Sequence, residues 1–261
     1  MHPSGLHVVR HHADAPGPPV VLVHGAPDRS KNFAHVVHQL SDLPVTIYDR
    51  RGYGKSLAAG EHGGGFHTHA ADLIALLDDT PSIVVGQSAG GAIGMLAATL
   101  RPDLFLALGV WEPPMVPWMW WVGMDAWQRT MTSVMFTDTI ALGEQFNRMI
   151  LGNERWEQLA ERTQELLRAE GEAFRADMRS QIEPYFDLAD LTVPMVVGCG
   201  TSSFDETHRT APHRLAARLG AELLVVDGAD HFSHLSNPAA WVRLVRATVE
   251  LAGCRAGGGA R

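Results

Sequence analysis

The chain has 261 residues, of which 46% are hydrophobic and 19% charged, with a formal net charge of −8. That length suits one large α/β domain carrying an insertion, and the balance is that of a globular protein rather than a disordered one. The negative charge argues against nucleic-acid binding, and no apolar run reaches the roughly 18 residues of a membrane helix, so membrane insertion is not expected either.

The first residues, MHPSGLHVVRHHADAPGPP, lack the basic start and apolar middle of a secretory signal, which makes the cytoplasm the expected location. Further on, short apolar runs recur: PVVLVHG (19–25), VTIYDR (45–50), SIVVGQ (82–87), LALGVWE (106–112), VPMVVGCG (193–200) and AELLVVDG (221–228). Runs without polar alternation predict strands of a parallel sheet covered on both faces. Helical patterns fall between or after them: FAHVVHQLSDL, HAADLIALLDDT, AGGAIGMLAATL, TAPHRLAARLGA and NPAAWVRLVRATVELAG. This alternation predicts a doubly wound, mostly parallel α/β sheet.

In EHGGGFHTHAADL, His62, His67 and His69 stand close together, but no cysteine or acidic residue falls in step as a further ligand, so no metal is expected. The stretch reads as a solvated Gly-rich loop entering a helix capped by Thr68. Cys199 and Cys254 make no disulfide framework, and Cys199 reads as a core thiol. The tail GCRAGGGAR is expected to hold no structure.

The rhythm breaks over 114–190, where three or four helical patterns follow one another with no strand between them. Five of the seven tryptophans lie there, and so many large apolar side chains in one insertion read as a lid over the carboxyl edge of the sheet. Residues 1–113 and 191–261 then form the core domain and 114–190 the lid. Most of the lid's apolar residues serve its packing, while Trp111, Trp118, Trp121 and Met115 are the candidates for facing a small-molecule substrate.

VVGQSAGG carries the chemistry. GQSAG (86–90) fits G-x-S-x-G and sits between an apolar strand and a helix, the setting that strains a serine into an exposed position. Ser88 is therefore the candidate nucleophile. A hydroxyl needs a base to take its proton, and His231 in VVDGADHFSHLSNP follows the last strand; His234 reads as structural. The amides of Ala89 and, in HGAPD, of Ala26 are the candidate oxyanion donors, with His24 and Gly25 shaping the turn. In YDRRGYGKS, an internal pair between Asp49 and an arginine is expected to hold the loop, and GYGKS lacks the spacing of a phosphate loop.

Taken together, VLVHGAP, YDRRGYGKS, VVGQSAGG and GADHFSHLSNP resemble, in order, the oxyanion loop, the following turn, the nucleophile elbow and the histidine loop of the α/β-hydrolase fold superfamily. The resemblance spans nearly the whole chain outside the lid. It implies a serine hydrolase acting without a cofactor on an ester or related acyl compound with an apolar portion, with Ser88, His231, Ala26 and Ala89 in the roles named. The acid departs from the usual pattern, because the position three residues after Gly200 holds Ser203 in place of aspartate. Two carboxylates compete. Asp205 lies two residues beyond, and Glu112 ends a strand at the position used by haloalkane dehalogenases; Glu112 is preferred, with Pro113 and Pro114 expected to keep its backbone extended. A serine in place of the aspartate nucleophile argues against dehalogenase and epoxide-hydrolase chemistry. Alternatives within reach of the same triad are perhydrolase or acyltransferase activity and carbon–carbon bond hydrolysis, and outside it a ligand-binding receptor with little turnover. The sequence specifies no oligomeric state.

Overall fold

A computed structural model describes residues 5–60, 65–115, 137–181, 185–203 and 206–258. Seven strands form one sheet in the order β1-β3-β2-β4-β5-β6-β7. They are β1 (Val8–His11), β2 (Val20–Val23), β3 (Val45–Tyr48), β4 (Ser82–Gln87), β5 (Phe105–Trp111), β6 (Met195–Gly200) and β7 (Glu222–Val226). The six expected strands are all present and mutually parallel. The seventh, β1, pairs antiparallel with β3 at the edge. Its residues, VVRH, are only half-buried or exposed, so the sequence there carries none of the continuous apolar signal of the central strands.

Alternate residues of each strand feed two separate cores. In β2, Val20 and Leu22 pack on one face with Trp241 and Leu244, whereas Val21 and Val23 pack on the other with Leu73 and Ile93. The first face is covered by α1 (Ala34–His38) and α10 (Pro238–Gly258), the second by α2 (Gly65–Leu77), α3 (Ala89–Leu100) and α8 (Glu206–Leu219). Each fully buried aliphatic side chain contributes about 1.5–3 kcal/mol of transfer free energy, which is why both faces of the central strands read as unbroken apolar runs.

Two boundaries differ from expectation. Helix α2 begins at Gly65, so Thr68 lies inside its first turns rather than at its cap. Helix α10 runs on to Gly258, through most of the tail expected to be unstructured. Between β5 and β6 the described residues form α4 (Thr139–Leu151), α5 (Asn153–Glu157), α6 (Glu161–Ala169) and α7 (Gly171–Arg179). A short α9 (Ser233–Ser236) precedes α10. Among the described residues no helix is long and apolar enough to cross a membrane.

The turn from β4 into α3 is possible only because of glycine. A Cβ on Gly86 would lie 2.4 Å from the Gly90 carbonyl oxygen, and one on Gly90 would lie 2.3 Å from that of Val23. Both obstacles are backbone and cannot swing away. Gly90→Ala is therefore expected to destabilise the protein by about 1–3 kcal/mol, the usual cost of overpacking, seen as a lower urea midpoint; an unchanged midpoint would contradict this packing.

Candidate active site

Strand β4 delivers Ser88 to the carboxyl edge with φ 49° and ψ −123°, a conformation side chains rarely adopt. The backbone N–H of Ser88 donates to the Trp111 carbonyl (2.8 Å), so the β4–β5 ladder continues into the turn. The Ser88 carbonyl accepts from Gly91 and Ala92, starting α3. Ala89 opens that helix, and a first-turn amide has no acceptor within its own helix. The loop after β2 runs alongside, since a Cβ on Gly25 would stand 3.1 Å from the Ser88 Cβ.

One residue beyond β5, Glu112 also takes a positive φ, 45°. The extended backbone expected from Pro113 is not found. The turn points the carboxylate along the sheet edge, where it is 2% exposed and fully bonded. Its Oε1 accepts from the Gly200 N–H (2.9 Å) and the Ser203 hydroxyl (2.5 Å). Its Oε2 lies 2.8 Å from His231 Nδ1. Nδ1 must then carry the proton, so the lone pair that can act as a base is on Nε2. Ser203, which replaces the usual aspartate, thus donates to the carboxylate that arrives from the neighbouring strand.

His231 lies in the loop after β7 and is 5% exposed. Two side chains hold that loop through its carbonyls: Gln87 Nε2 donates to His231 O (3.1 Å), and the Trp111 indole N–H donates to Asp230 O (3.1 Å). The His208 ring, on the first turn of α8, packs edge-on to His231 at 4.7 Å between centroids. Gln87 and His208 were not singled out in the sequence. Gln87 occupies the variable position before the serine, and His208 follows the histidine loop's partner strand with no motif to mark it.

Other candidates are placed differently. Trp111 is a core residue, not a substrate contact: it is fully buried on the α10 side of the sheet, with its ring against Gly198. Met115 is fully buried on the opposite face. Trp118, Trp121 and Asp205 lie outside the described residues. His234 is fully buried among Phe33, Phe232 and Trp241 and lies 2.9 Å from Asp28. Burial alone would raise the Asp28 pKa, but the His234 ring beside it outweighs that and holds it below the usual carboxylate range. Cys199 is buried in β6, which pushes its thiol up to about 12.

The internal pair expected in YDRRGYGKS is absent. Asp49 accepts instead from Ser30 N, Ser30 Oγ and Lys55 N (2.8, 2.6 and 2.8 Å). Arg51 pairs with Asp72 at 2.6 Å. Arg50, fully buried, reaches Asp177 on α7 at 2.9 Å. His69, on α2, is buried and contacts the same carboxylate at 3.0 Å. A second arginine, Arg29, pairs with the buried Glu170 just before α7 at 2.5 Å. The helices inserted after β5 therefore meet the loops after β2 and β3 through two ion pairs, Arg50–Asp177 fully buried and Arg29–Glu170 partly so.

His24 shapes its turn as expected. Its Nδ1 donates to Gly25 O (2.8 Å) and its Nε2 accepts from the Arg50 N–H (2.8 Å), which defines a neutral ring. Burial, then the Arg50 charge, lowers its pKa from 6.5 to about 4; burial lowers that of His69 as well. The unfolded ring takes a proton below pH 6.5 and the folded one does not until about pH 4. Stability is thus full above pH 6.5 and falls with acid through that window, by on the order of 3 kcal/mol for His24. The urea midpoint should drop between pH 7 and pH 4.5, and His24→Gln should flatten the drop; an equal slope in the variant would assign it elsewhere.

The profile of the Alpha/beta hydrolase family matches residues 20–244. Lipase LipV of Mycobacterium tuberculosis is 34% identical over 111 residues, 41% of this chain and 41% of LipV. The karrikin insensitive 2 receptor CA of Petunia hybrida is 34% identical over 96 residues, 34% of this chain and 36% of the receptor. The chain thus aligns with well under half the length of either relative. A carboxylesterase structure from Nitrososphaera gargenis is 18% identical, with a TM-score of 0.72 over 97% of this chain and 98% of that one, a likeness of fold. With the family profile spanning six of the seven strands and every loop that carries the site, the chain belongs to the alpha/beta hydrolase family.

Proposed function

We propose that the protein is a serine hydrolase that cleaves an ester or related acyl compound with an apolar portion through an acyl-enzyme on Ser88. The observation that carries this reading is the buried pair of His231 Nδ1 and Glu112 Oε2 at 2.8 Å, with Glu112 ending the strand next to the one that ends on a serine in strained backbone. Ser88 attacks the carbonyl and its proton passes to His231 Nε2. Glu112 fixes the ring's tautomer and stabilises the imidazolium. The amides of Ala26 and Ala89 receive the charge that develops on the carbonyl oxygen. His231 then protonates the leaving group, and a water activated by the same ring releases the acid.

The segment 114–190 serves as a lid in this reading, and Met115, Trp118 and Trp121 face or support the apolar part of a small-molecule substrate. The names of LipV and of the carboxylesterase agree with acyl transfer to water. The receptor among the relatives keeps a second reading in view, in which the same pocket binds a ligand with little turnover. Serine in place of aspartate at the elbow separates this chain from alkyl-ester chemistry, although an Epoxide hydrolase of Caballeronia sordidicola is also 33% identical over 109 residues, 40% of this chain and 32% of that protein.

A phosphonate should label Ser88 and stop the release of phenol from p-nitrophenyl esters, and Ser88→Ala should lose both properties. Glu112→Gln should lower kcat by about 10⁴-fold, as loss of the acid does in other triads, while Asp205→Asn leaves it near wild type. Labelling without phenol release would favour the receptor reading; a full loss in Asp205→Asn with none in Glu112→Gln would move the acid to the other loop.

A further inference from the structure

Arg50 is the least expected side chain near the site: a fully buried guanidinium on the loop after β3. Its Nε donates to the His24 carbonyl (3.0 Å) and its Nη2 donates to the Gly25 carbonyl (2.8 Å). The Gly25 carbonyl also accepts from His24 Nδ1. That carbonyl belongs to the same planar peptide unit as the Ala26 N–H, and in a trans peptide the two point in opposite directions. Whatever fixes the direction of the Gly25 C=O therefore fixes the direction of the Ala26 N–H. Two donors on the oxygen, one of them a full positive charge, also draw electron density from the amide nitrogen and make its proton a better donor.

From this geometry we propose that Arg50 is a positioning residue for the oxyanion site, aiming and polarising the Gly25–Ala26 peptide, and that Asp177 on the inserted helices holds Arg50 in place. The proposal rests on the reading of the Ala26 amide as an oxyanion donor. Asp177 is fully buried, and its carboxylate gathers Arg50 Nη2 (2.9 Å), the Tyr53 hydroxyl (2.7 Å) and His69 Nε2 (3.0 Å). The Tyr53 ring adds a face 4.6 Å from the Arg50 Cζ. Asp177 thereby couples the inserted segment to the catalytic loop across 127 residues of sequence. Without it the guanidinium would be left buried and unpaired, the costly state for an ion pair, and would turn from the carbonyls toward whatever neutralises it. Lysine cannot substitute fully, because one ammonium cannot present the planar fork that spans two carbonyls and a carboxylate.

The test compares wild type with Arg50→Gln, Arg50→Lys and Asp177→Asn. The first readout needs no turnover: the Ala26 amide resonance in ¹⁵N-labelled protein, expected to shift in Arg50→Gln and Asp177→Asn while amides of β6 and β7 stay in place. The second is kinetic. On a p-nitrophenyl ester Arg50→Gln should lose about 10- to 100-fold in kcat with KM little changed, less than the loss of an oxyanion donor outright. Asp177→Asn should lose several-fold, and Arg50→Lys should fall between wild type and Arg50→Gln. Inhibition by a trifluoromethyl ketone, whose serine adduct carries the oxyanion, should weaken in step with kcat/KM. A role confined to stability would lower Tm and leave the ketone's affinity and the Ala26 resonance where they were, and that result overturns the proposal. If Arg50→Gln does not fold, Asp177→Asn and Arg50→Lys carry the comparison. A wild type that neither turns over the ester nor binds the ketone would refute the hydrolase reading, while the Ala26 resonance would still decide whether Arg50 orients the peptide.

Discussion

Two adjacent strands end on a residue forced into left-handed backbone: Ser88 after β4, with φ 49°, and Glu112 after β5, with φ 45°. Neither is glycine, so each position costs on the order of 1–3 kcal/mol and persists only because its surroundings over-determine it. For Ser88 those surroundings are the ladder bond to Trp111 O and the start of α3. For Glu112 they are the ladder bond from its own N–H to Gly198 O and the three donors on its carboxylate. Gln87 pairs with Trp111 in the ladder, so the two strained residues leave the sheet at one level, and the rest of the site is arranged around that pair.

Charge joins the loops around it to the inserted helices, beside an apolar contact of Ala26 with Leu142, Phe174 and Met178. Arg50 with Asp177 and Arg29 with Glu170 fasten the inserted helices to the loops after β2 and β3. The fully buried Arg50–Asp177 pair contributes little net stability compared with apolar packing, but losing one of its partners costs about 3–5 kcal/mol because the other remains buried. It makes the alternatives expensive and so defines one arrangement. Burial also keeps His24 and His69 uncharged near neutral pH, so the loop beside Ser88 carries the Arg50 charge without a second cation to compete for the Gly25 carbonyl.

The architecture was legible wherever a local rule governs it. Six strands follow from apolar runs, and the elbow follows from GQSAG between a strand and a helix. Glu112 could be named as an acid candidate from its strand-end position, but its backbone could not, since the residue before a proline is ordinarily extended and only the long-range bonds to Gly200, Ser203 and His231 reverse that. Ser203 was legible as a missing aspartate and not as a donor to the relocated carboxylate. Trp111 was a candidate substrate contact, yet alternation along β5 sends it into the core on the α10 side of the sheet. The charged loop YDRRGYGKS invited a local pairing, and its arginines found partners 21 and 127 residues away. Edge strand β1 escaped notice because an edge needs no apolar run.

All of this converges on whether the Glu112 carboxylate holds the His231 ring. The proton on His231 Nδ1, lying in a short bond to a carboxylate, should give a far-downfield ¹H resonance in the wild-type protein. The account predicts that this resonance disappears in Glu112→Gln and persists in Asp205→Asn. A resonance that survives in Glu112→Gln and is lost in Asp205→Asn would contradict it.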